Sequence, residues 1–453
     1  MRLSLANLAA LDSAVTRFGY DRAGQASGIV HLGIGAFHRA HQAWYTDLAM
    51  AAGDRDWSIT GVSLRASTVA EQMNPQDGLY TVTERSDAGW NSRLVGAVRE
   101  VLVAQGQRGA VIDRIADPAT HIVSLTVTEK GYCRAADGSL DFALADTGSL
   151  YALIAAALRR RHDAGLPGLT FLSCDNLADN GQQLARLMGE YLGRHDPGLL
   201  AWFEQTCTCP STMVDRIVPA TTDTDRAELA ARIGLEDQAA VLTEPFSQWV
   251  IEDRFAGPRP RWHAVGAELV SDVRPYETAK LRMLNGAHSF LAYVGLAHGH
   301  TYVHEAIGNP ELRPLVEALL REEAAPTIAA GAGQDLAAYA TALVERFANP
   351  ALNHRLIQIA MDGSQKLPQR WLETLAANQA LGRACPVILQ GIAAWIRHLR
   401  GVNGPVDDPR ALELGAAARG SDPVAALFGR LGMVSNLWLP TEVDAAAINL
   451  LAK

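Results

Sequence analysis

The sequence has few cysteines, no run of basic residues and no long apolar segment. Five cysteines in 453 residues are too few for a disulfide framework. The formal net charge of −9 argues against nucleic acid or an anionic membrane as a partner, because both need a basic surface. No segment approaches the roughly 18 apolar residues of a membrane span, and the first residues lack the apolar core of a leader. We therefore expect a cytoplasmic protein.

The spacing of cysteine and histidine gives no support for a metal site. Cys207 and Cys209 are close together, but no second Cys or His pair follows them at metal-ligand spacing. We therefore interpret the cysteines as ordinary thiols and expect no bound metal.

What the sequence does contain is enough apolar material for a large interior. Apolar residues make up 48% and charged residues 20%, and the chain is too long for one ordinary core. In the first part, short β-rich runs alternate with helical spacing, which is the pattern of a parallel sheet with crossover helices. The strand candidates are 27–33, 57–63, 121–127 and 169–173, and the helical windows are 42–50, 150–160 and 184–192.

Strand signals nearly vanish from about Arg274 onward. Ala- and Leu-rich runs, separated by Pro, Gly or Asn, predict helices in the remainder of the chain. The fold class expected is therefore an α/β domain with a parallel-rich sheet over 1–274, followed by an all-helical domain over 275–453.

A glycine-containing turn follows the first predicted strand directly. Gly33 and Gly35 would allow a tight turn and a close approach of the backbone to a pyrophosphate at a helix N-terminus. His38 occupies the position at which the usual dinucleotide fingerprint has its third glycine. Because the motif follows a predicted strand and precedes a predicted helix, we expect Gly33, Gly35, Ala36, Phe37 and His38 to bind a nucleotide cofactor.

The end of the second predicted strand leaves the choice between NAD and NADP open. Enzymes that use NAD carry an acidic residue there for the ribose 2′-hydroxyl. The segment 61–65 has no acid and ends in Arg65, which is either a ligand of a 2′-phosphate or a solvated loop charge. NAD is the expected cofactor, with NADP as the alternative.

Three polar residues share one side of the helix predicted over 279–297. At about 100° per residue, Lys280, Asn285 and His288 fall within an arc of about 140°. Leu284 and Leu291 lie in the same arc, so the lysine would be turned toward the interior. Desolvation would then lower the pKa of Lys280 and make it a general base. The alternative is that Lys280 extends to solvent and that the other two are satisfied core groups.

Such a trio fits the oxidation of an alcohol. Lys280 could accept the hydroxyl proton while hydride leaves carbon for a nicotinamide. Asn285 and His288 could donate hydrogen bonds to the oxygen that gains negative charge in the transition state. This chemistry requires no metal.

Several motifs occur together and in order, and they identify a family. They are Gly33-x-Gly35-Ala36-Phe37-His38-Arg39-Ala40-His41, Thr128-Glu129-Lys130-Gly131-Tyr132, Ser173-Cys174-Asp175-Asn176, Val214-Asp215-Arg216-Ile217, Glu244-Pro245-Phe246 and Lys280-x₄-Asn285-x₂-His288. From about residue 28 to about 370, the chain resembles the polyol-specific long-chain dehydrogenases, the family of mannitol 2-dehydrogenase and fructuronate reductase.

The resemblance implies a Rossmann-type N-terminal domain, a helical C-terminal domain for substrate and catalysis, and a metal-independent reaction. It implies that Lys280 is the general acid/base and that Asn285 and His288 polarise the reacting oxygen. It also implies that Asn176 and Asp215 contact the substrate or the nicotinamide. The alternatives are a turn cap for Asn176 and a local ion pair with Arg216 for Asp215.

Within the family, the stretches 123–132, 248–253, 280–288 and 361–370 resemble the fructuronate reductase, or D-mannonate oxidoreductase, branch most closely. A sugar-acid substrate would need a cationic partner, for which Arg355, Lys366 and Arg370 are candidates. A mannitol 2-dehydrogenase or D-arabinitol dehydrogenase acting on an uncharged polyol is the alternative. A nucleotide-binding sensor without turnover is the alternative of another class, because a fold alone does not establish catalysis. The oligomeric state stays open.

Overall fold

The computed structural model describes residues 1–135 and 137–453, which form two compact units, Met1–Val273 and Arg274–Lys453. The first unit is α/β, and the described residues of the second unit form helices and no strand. The fold class predicted from the sequence is therefore confirmed. None of the helices in the described part of the chain is long and apolar enough to cross a membrane.

A parallel sheet of five strands forms the centre of the first unit. The strands of this unit are β1 (Ile29–Leu32), β2 (Ile59–Ser63), β3 (Tyr80–Ser86), β4 (Gly89–Val95), β5 (Val98–Val103), β6 (Ile122–Leu125), β7 (Thr170–Ser173), β8 (Thr212–Asp215), β9 (Val241–Thr243), β10 (Gln248–Glu252) and β11 (Glu268–Val270). The main sheet has the order β5-β2-β1-β6-β7, and every neighbouring pair in it is parallel. Strands β1, β6 and β7 are buried at every residue, as expected for a sheet covered on both faces. The four strands predicted from the sequence are β1, β2, β6 and β7.

Two smaller sheets, with the orders β4-β3-β9 and β11-β10-β8, complete the first unit. The hairpin of β3 and β4 was not predicted, although its signals are present. Apolar residues alternate with polar ones in the first part of β3, and Gly89 closes the turn with a φ of +116°. Strand β5, which forms the edge of the main sheet, was also missed.

Helices connect the strands of the first unit. They are α1 (Ala36–Ala40), α2 (Gln42–Ala51), α3 (Thr68–Met73), α4 (Ala104–Ala116), α5 (Thr128–Gly131), α6 (Phe142–Ala145), α7 (Leu150–Asp163), α8 (Asn180–His195), α9 (Pro197–Thr206) and α10 (Asp223–Ile233). Helices α2, α7 and α8 cover the three windows in which the sequence shows helical spacing. Short 3₁₀ segments lie at Leu5–Ala10, Asn74–Gln76 and Trp262–Val265.

The described residues of the second unit form α-helices, three of which continue directly into π-helical turns. The α-helices are α11 (Arg274–Ala279), α12 (Gly286–Ala297), α13 (Val303–Gly308), α14 (Leu312–Ala318), α15 (Leu336–Phe347), α16 (Leu356–Ile359), α17 (Gly363–Leu367), α18 (Glu373–Ala380), α19 (Pro386–Leu399), α20 (Ala411–Ala418), α21 (Pro423–Leu427) and α22 (Glu442–Leu451). The π-helical turns are Lys280–Asn285, Leu319–Ala324 and Pro368–Leu372, and 3₁₀ segments lie at Ala325–Thr327 and Pro350–Leu352.

Helix α12 lies at the centre of the second unit. All ten residues from 286 to 295 are buried, which is typical of a helix surrounded by others. Helix α19 packs closely against it at Gly391, where an added Cβ would lie 2.9 Å from the Trp371 ring and 3.3 Å from the Phe290 ring. The core of this unit therefore fixes the position of the residues that α12 carries.

Candidate active site

The turn between β1 and α1 requires glycine at its first position. Gly33 has a φ of +95°, and a Cβ there would lie 2.1 Å from the carbonyl oxygen of Thr126. Gly35 is exposed, and the nearest atom to an added Cβ is the carbonyl oxygen of Gly33 at 3.9 Å. The space beside Gly35 is therefore open to a ligand.

Helix α1 begins at Ala36, directly after this turn. The first N–H groups of a helix have no acceptor within it, and no side chain caps those of α1. Ala36 and Phe37 are half-buried, whereas His38 is fully buried and does not present its side chain to solvent. The predicted cofactor residues thus lie together at one turn, with uncapped N–H donors and room for a phosphate.

Asp175 connects the ends of β6 and β7. Its carboxylate accepts the N–H groups of Val127 at 3.1 Å and Thr128 at 2.8 Å and the hydroxyl of Tyr132 at 2.9 Å. Burial raises the pKa of this carboxyl group. Thr128 has a φ of +64°, in the left-handed region, so the carboxylate stabilises a strained turn.

Asn176 follows Asp175 and is exposed at this edge of the sheet. The side chain of Asn180 donates to the carbonyl oxygens of Asp175 at 3.0 Å and Thr212 at 2.8 Å, and it accepts the N–H of Thr212 at 2.9 Å. Asp175 and Asn180 therefore hold the turn after β7.

Asp215 ends β8 and is 5% exposed. The neighbouring Arg216 contacts Glu84 at 2.6 Å and donates to the carbonyl oxygen of Ala40 at 2.6 Å. Its guanidinium also lies over the ring of Trp44, 4.7 Å from the centroid. The charge of Arg216 is thus engaged by groups distant in sequence.

A cavity of about 520 Å³ opens where β2, β5 and β6 end. Three cations line it, Arg65, Arg108 and Lys130, and its described lining residues include no acid. The carboxyl edge of a parallel sheet is where such folds bind nucleotides. This cavity is therefore suited to an anionic group near the end of β2.

Lys280 and Asn285 lie at the two ends of a π-helical turn. The N–H of Gly286 donates to the carbonyl oxygen of Leu281, five residues earlier. The spacing of 100° per residue of a regular α-helix does not hold here, because a π-helical turn contains more residues than an α-helical one. Residues five apart are therefore separated by less than the roughly 140° of a regular α-helix, which brings Lys280 and Asn285 closer together around the helix axis. Both are half-buried.

A second π-helical turn supports the first one. Arg370 donates to the Oγ of Ser289 at 2.9 Å and to the carbonyl oxygen of Asn285 at 3.5 Å. The indole N–H of Trp371 donates to the carbonyl oxygen of Gly286 at 3.0 Å. Backbone carbonyl groups at the end of the irregular turn thus gain side-chain donors. Turns of this kind are frequent at functional sites.

His288 is buried, with 7% of its surface exposed. Its ring lies 4.6 Å from that of Phe347 and 5.3 Å from that of His354. Burial and the neighbouring charges of His354, Arg346 and Arg370 lower its pKa well below the usual value, so the imidazole is neutral near pH 7. Its buried Nε2 has no hydrogen-bond partner among residues 1–135 and 137–453.

The three candidate partners of a carboxylate differ in their surroundings. Arg355 is exposed, and the Nζ of Lys366 donates to the carbonyl oxygen of Met361 at 2.6 Å. Arg370 is partly exposed and contacts Asn285, and burial lowers its pKa to about 10, which leaves it charged. The sequence does not separate these three residues, nor does it indicate His354, because their distances depend on folding.

No group of three or more His, Cys, Asp or Glu side chains within the described ranges is arranged to hold a metal ion. The second unit offers an amine, an amide, an imidazole and a guanidinium at Lys280, Asn285, His288 and Arg370. These groups can transfer a proton, donate hydrogen bonds to an oxygen and bind an anion.

Comparisons with known proteins agree for both units. Residues 27–264 match the family model of the mannitol dehydrogenase Rossmann domain, and residues 272–427 match that of the mannitol dehydrogenase C-terminal domain. A D-mannonate oxidoreductase of Escherichia coli K12 is 43% identical, over 95% of this chain and 93% of its own length. A mannitol 2-dehydrogenase of Phaeosphaeria nodorum is 38% identical, over 95% of this chain and 80% of its own length.

The solved structures include a close relative. The mannitol 2-dehydrogenase of Pseudomonas fluorescens, in a ternary complex with NAD and D-mannitol, is 34% identical with a TM-score of 0.84. The match covers 100% of this chain and 96% of that one. The likeness thus extends over the full length of the sequence.

Proposed function

The chain belongs to the mannitol dehydrogenase family of oxidoreductases that act on CH–OH groups, and from this premise we propose that it interconverts D-mannonate and D-fructuronate with NAD. Residues 1–274 would bind the dinucleotide, and residues 275–453 would supply the catalytic groups. The proposal rests chiefly on one observation, the π-helical turn that carries Lys280 and Asn285 at its two ends, shortly before the buried, neutral His288.

In this proposal, Lys280 accepts the hydroxyl proton when the alcohol is oxidised and returns it when the ketone is reduced. The Asn285 side-chain amide and one imidazole N–H of His288 donate to the same oxygen, on which negative charge grows. A neutral imidazole suits this role, because it keeps one N–H for donation and brings no competing charge. No step requires a metal, since the amine transfers the proton and the two donors stabilise the oxygen.

The residues of the first unit fit a dinucleotide. The uncapped N–H groups of Ala36 and Phe37 and the open space at Gly35 would hold the pyrophosphate. When bound, the nicotinamide supplies or accepts the hydride. Asn176 and Asp215 would contribute an amide and a carboxylate that bind substrate hydroxyl groups.

A sugar acid is proposed for two reasons. Identity to the D-mannonate oxidoreductase, at 43%, exceeds the 38% to the mannitol 2-dehydrogenase from Phaeosphaeria nodorum. In addition, Arg370 is a charged and partly exposed guanidinium beside Asn285, suited to a carboxylate. An uncharged polyol would leave this guanidinium without a substrate partner.

A substrate panel tests the proposal. Oxidation of D-mannonate, D-mannitol and D-arabinitol is followed with NAD and with NADP, before and after dialysis against a chelator. We expect a kcat/KM for D-mannonate at least about tenfold above that for either polyol, unchanged by the chelator. A preference for a polyol would replace the proposed substrate. Activity abolished by the chelator would overturn the metal-free chemistry, and inactivity with all three alcohols would overturn the whole assignment.

A further inference from the structure

Two histidines are stacked face to face beneath the glycine turn. His31 lies in β1 and His38 in α1, both fully buried, with ring centroids 3.3 Å apart and planes at 12°. Burial lowers the pKa of His31 to about 3 and that of His38 well below its usual value. Both rings are therefore neutral near pH 7. Burying two imidazoles is costly unless their polar atoms are hydrogen-bonded, and Nε2 of His38 has no hydrogen-bond partner among the described residues.

The hydrogen bonds of His31 define its tautomer. The hydroxyl of Thr126 donates to the carbonyl oxygen of Gly33 at 2.7 Å, so toward His31 this hydroxyl can only accept. Nε2 of His31 must then carry the proton, which it shares between Thr126 at 2.9 Å and the Gly33 carbonyl at 3.3 Å. Nδ1 is left as the acceptor for the Ser124 hydroxyl at 2.8 Å. Every polar atom of this imidazole is thus used.

The carbonyl group of Gly33 receives three donors as a result. They are the N–H of Gly35 at 2.7 Å, the hydroxyl of Thr126 and Nε2–H of His31. The N–H of Gly33 donates in turn to the carbonyl oxygen of Val62 on β2 at 2.8 Å. Gly33, which sets the direction of the turn, is therefore held through both its N–H and its carbonyl group before any ligand arrives.

His38 fixes the other side of the same turn. Its Nδ1 donates to Oε1 of Gln42 at 3.2 Å, and the amide of Gln42 donates to Nδ1 of His41 at 2.9 Å. Nε2 of His41 then donates to the carbonyl oxygen of Gln248 on β10 at 2.9 Å. This chain of bonds ties the start of α1 to β10. Because the rings of His38 and His31 are stacked, the hydrogen bonds that hold His38 also limit the position of His31.

We propose that His31 and His38 are positioning residues, which hold the Gly33 carbonyl and the first turn of α1 in the geometry that binds the dinucleotide. The inference rests on the proposed function of this turn. It assigns to both histidines a role in cofactor affinity and none in proton transfer, because their rings are shielded from solvent and substrate. A preformed turn binds more tightly, since it loses less freedom on binding.

The test compares His31→Val and Thr126→Val with the wild type. Valine suits a buried strand at position 31, and Thr126→Val removes one donor to Gly33 with little change of shape. The dissociation constant of NAD is measured from quenching of tryptophan fluorescence, beside kcat, the two KM values and the melting temperature. We expect the NAD dissociation constant and the NAD KM to rise about tenfold in each variant. The kcat at saturating NAD and the KM of the alcohol should stay within about twofold of the wild type.

His121→Val is the matched control, because His121 directly precedes β6 at the opposite end of the main sheet. It should leave NAD binding unchanged even if it lowers the melting temperature. A lower melting temperature with unchanged NAD affinity in both test variants would make the histidines merely structural and overturn the inference. If His31→Val does not fold, Thr126→Val decides alone. A wild type that binds no dinucleotide would instead refute the proposed function.

Discussion

The glycine turn of the first unit and the π-helical turn of the second unit present different kinds of chemical group, backbone in the first and side chains in the second. The turn after β1 offers backbone N–H groups and an open space, and its buried histidines only support it. The turn that begins at Lys280 offers side chains, and its π-helical winding changes the angles between them from those of a regular α-helix. A site made of backbone depends on which residues are small, whereas a site made of side chains depends on how the helix is wound.

The largest expected effect concerns Lys280 in the π-helical turn of the second unit. Lys280→Met removes the proposed proton acceptor and keeps the length of the side chain. We expect kcat to fall by about a thousandfold while the dissociation constant of NAD stays within about twofold, because the first unit is untouched. Steady-state kinetics and fluorescence titration measure the two quantities. A variant that retains more than about a tenth of the wild-type kcat would exclude Lys280 as the acid/base.

The second prediction separates the two glycines of the backbone site. Gly33→Ala places a Cβ 2.1 Å from the carbonyl oxygen of Thr126 at a positive φ, so we expect a loss of about 2 kcal/mol or more of stability. Gly35→Ala meets no atom closer than 3.9 Å at a φ of −86° and should melt as the wild type does. Its methyl group would instead occupy the space proposed for the phosphate, and the NAD dissociation constant should rise at least about tenfold. Unchanged NAD affinity in Gly35→Ala would place the pyrophosphate elsewhere.

The same contrast explains what the sequence could predict. Short apolar strands and glycines have local causes, so β1, β2, β6, β7 and the turn at Gly33 could be identified directly. The π-helical turn has no such signal, because the apolar spacing around Lys280 is the same as that of an ordinary helix. The spacing of a regular α-helix therefore gave incorrect angles for Lys280, Asn285 and His288, and their role stays a prediction. The proximity of Arg370 and His354 to the site arises only from the packing of distant segments.

A third prediction concerns the protonation of a buried glutamate in another π-helical turn of the second unit. Glu323 lies in the turn Leu319–Ala324, is 3% exposed and accepts the N–H groups of Val387 and Ile388 at the start of α19. Burial raises its pKa from 4.5 to about 7. The folded state therefore holds this proton more tightly than the unfolded state. The resulting stability is complete below about pH 4.5 and is lost as the pH rises toward 7, by about 3 kcal/mol.

The measurement for Glu323 is the melting temperature of the wild type and of Glu323→Gln between pH 5 and pH 7.5. The wild type should lose stability relative to the variant as the pH rises, because only the wild type must ionise a buried carboxyl group. Glu322→Gln is the control, since Glu322 is adjacent and exposed. Parallel curves for the wild type and Glu323→Gln would show that this carboxyl group has an ordinary pKa.

The smallest expected effect concerns Arg65, a side chain of the first unit near the proposed cofactor site. Arg65 follows β2 and lines the cavity that also contains Arg108 and Lys130, at the place where an acid would select NAD. Arg65→Asp should lower the ratio of kcat/KM with NADP to kcat/KM with NAD about tenfold, because the new carboxylate repels a 2′-phosphate and can bind a 2′-hydroxyl. Arg313→Asp makes the same change of charge at an exposed position of α14 in the second unit and should leave the ratio unchanged. An unaltered ratio in both variants would mean that cofactor choice, like the pyrophosphate contact, depends on the backbone alone.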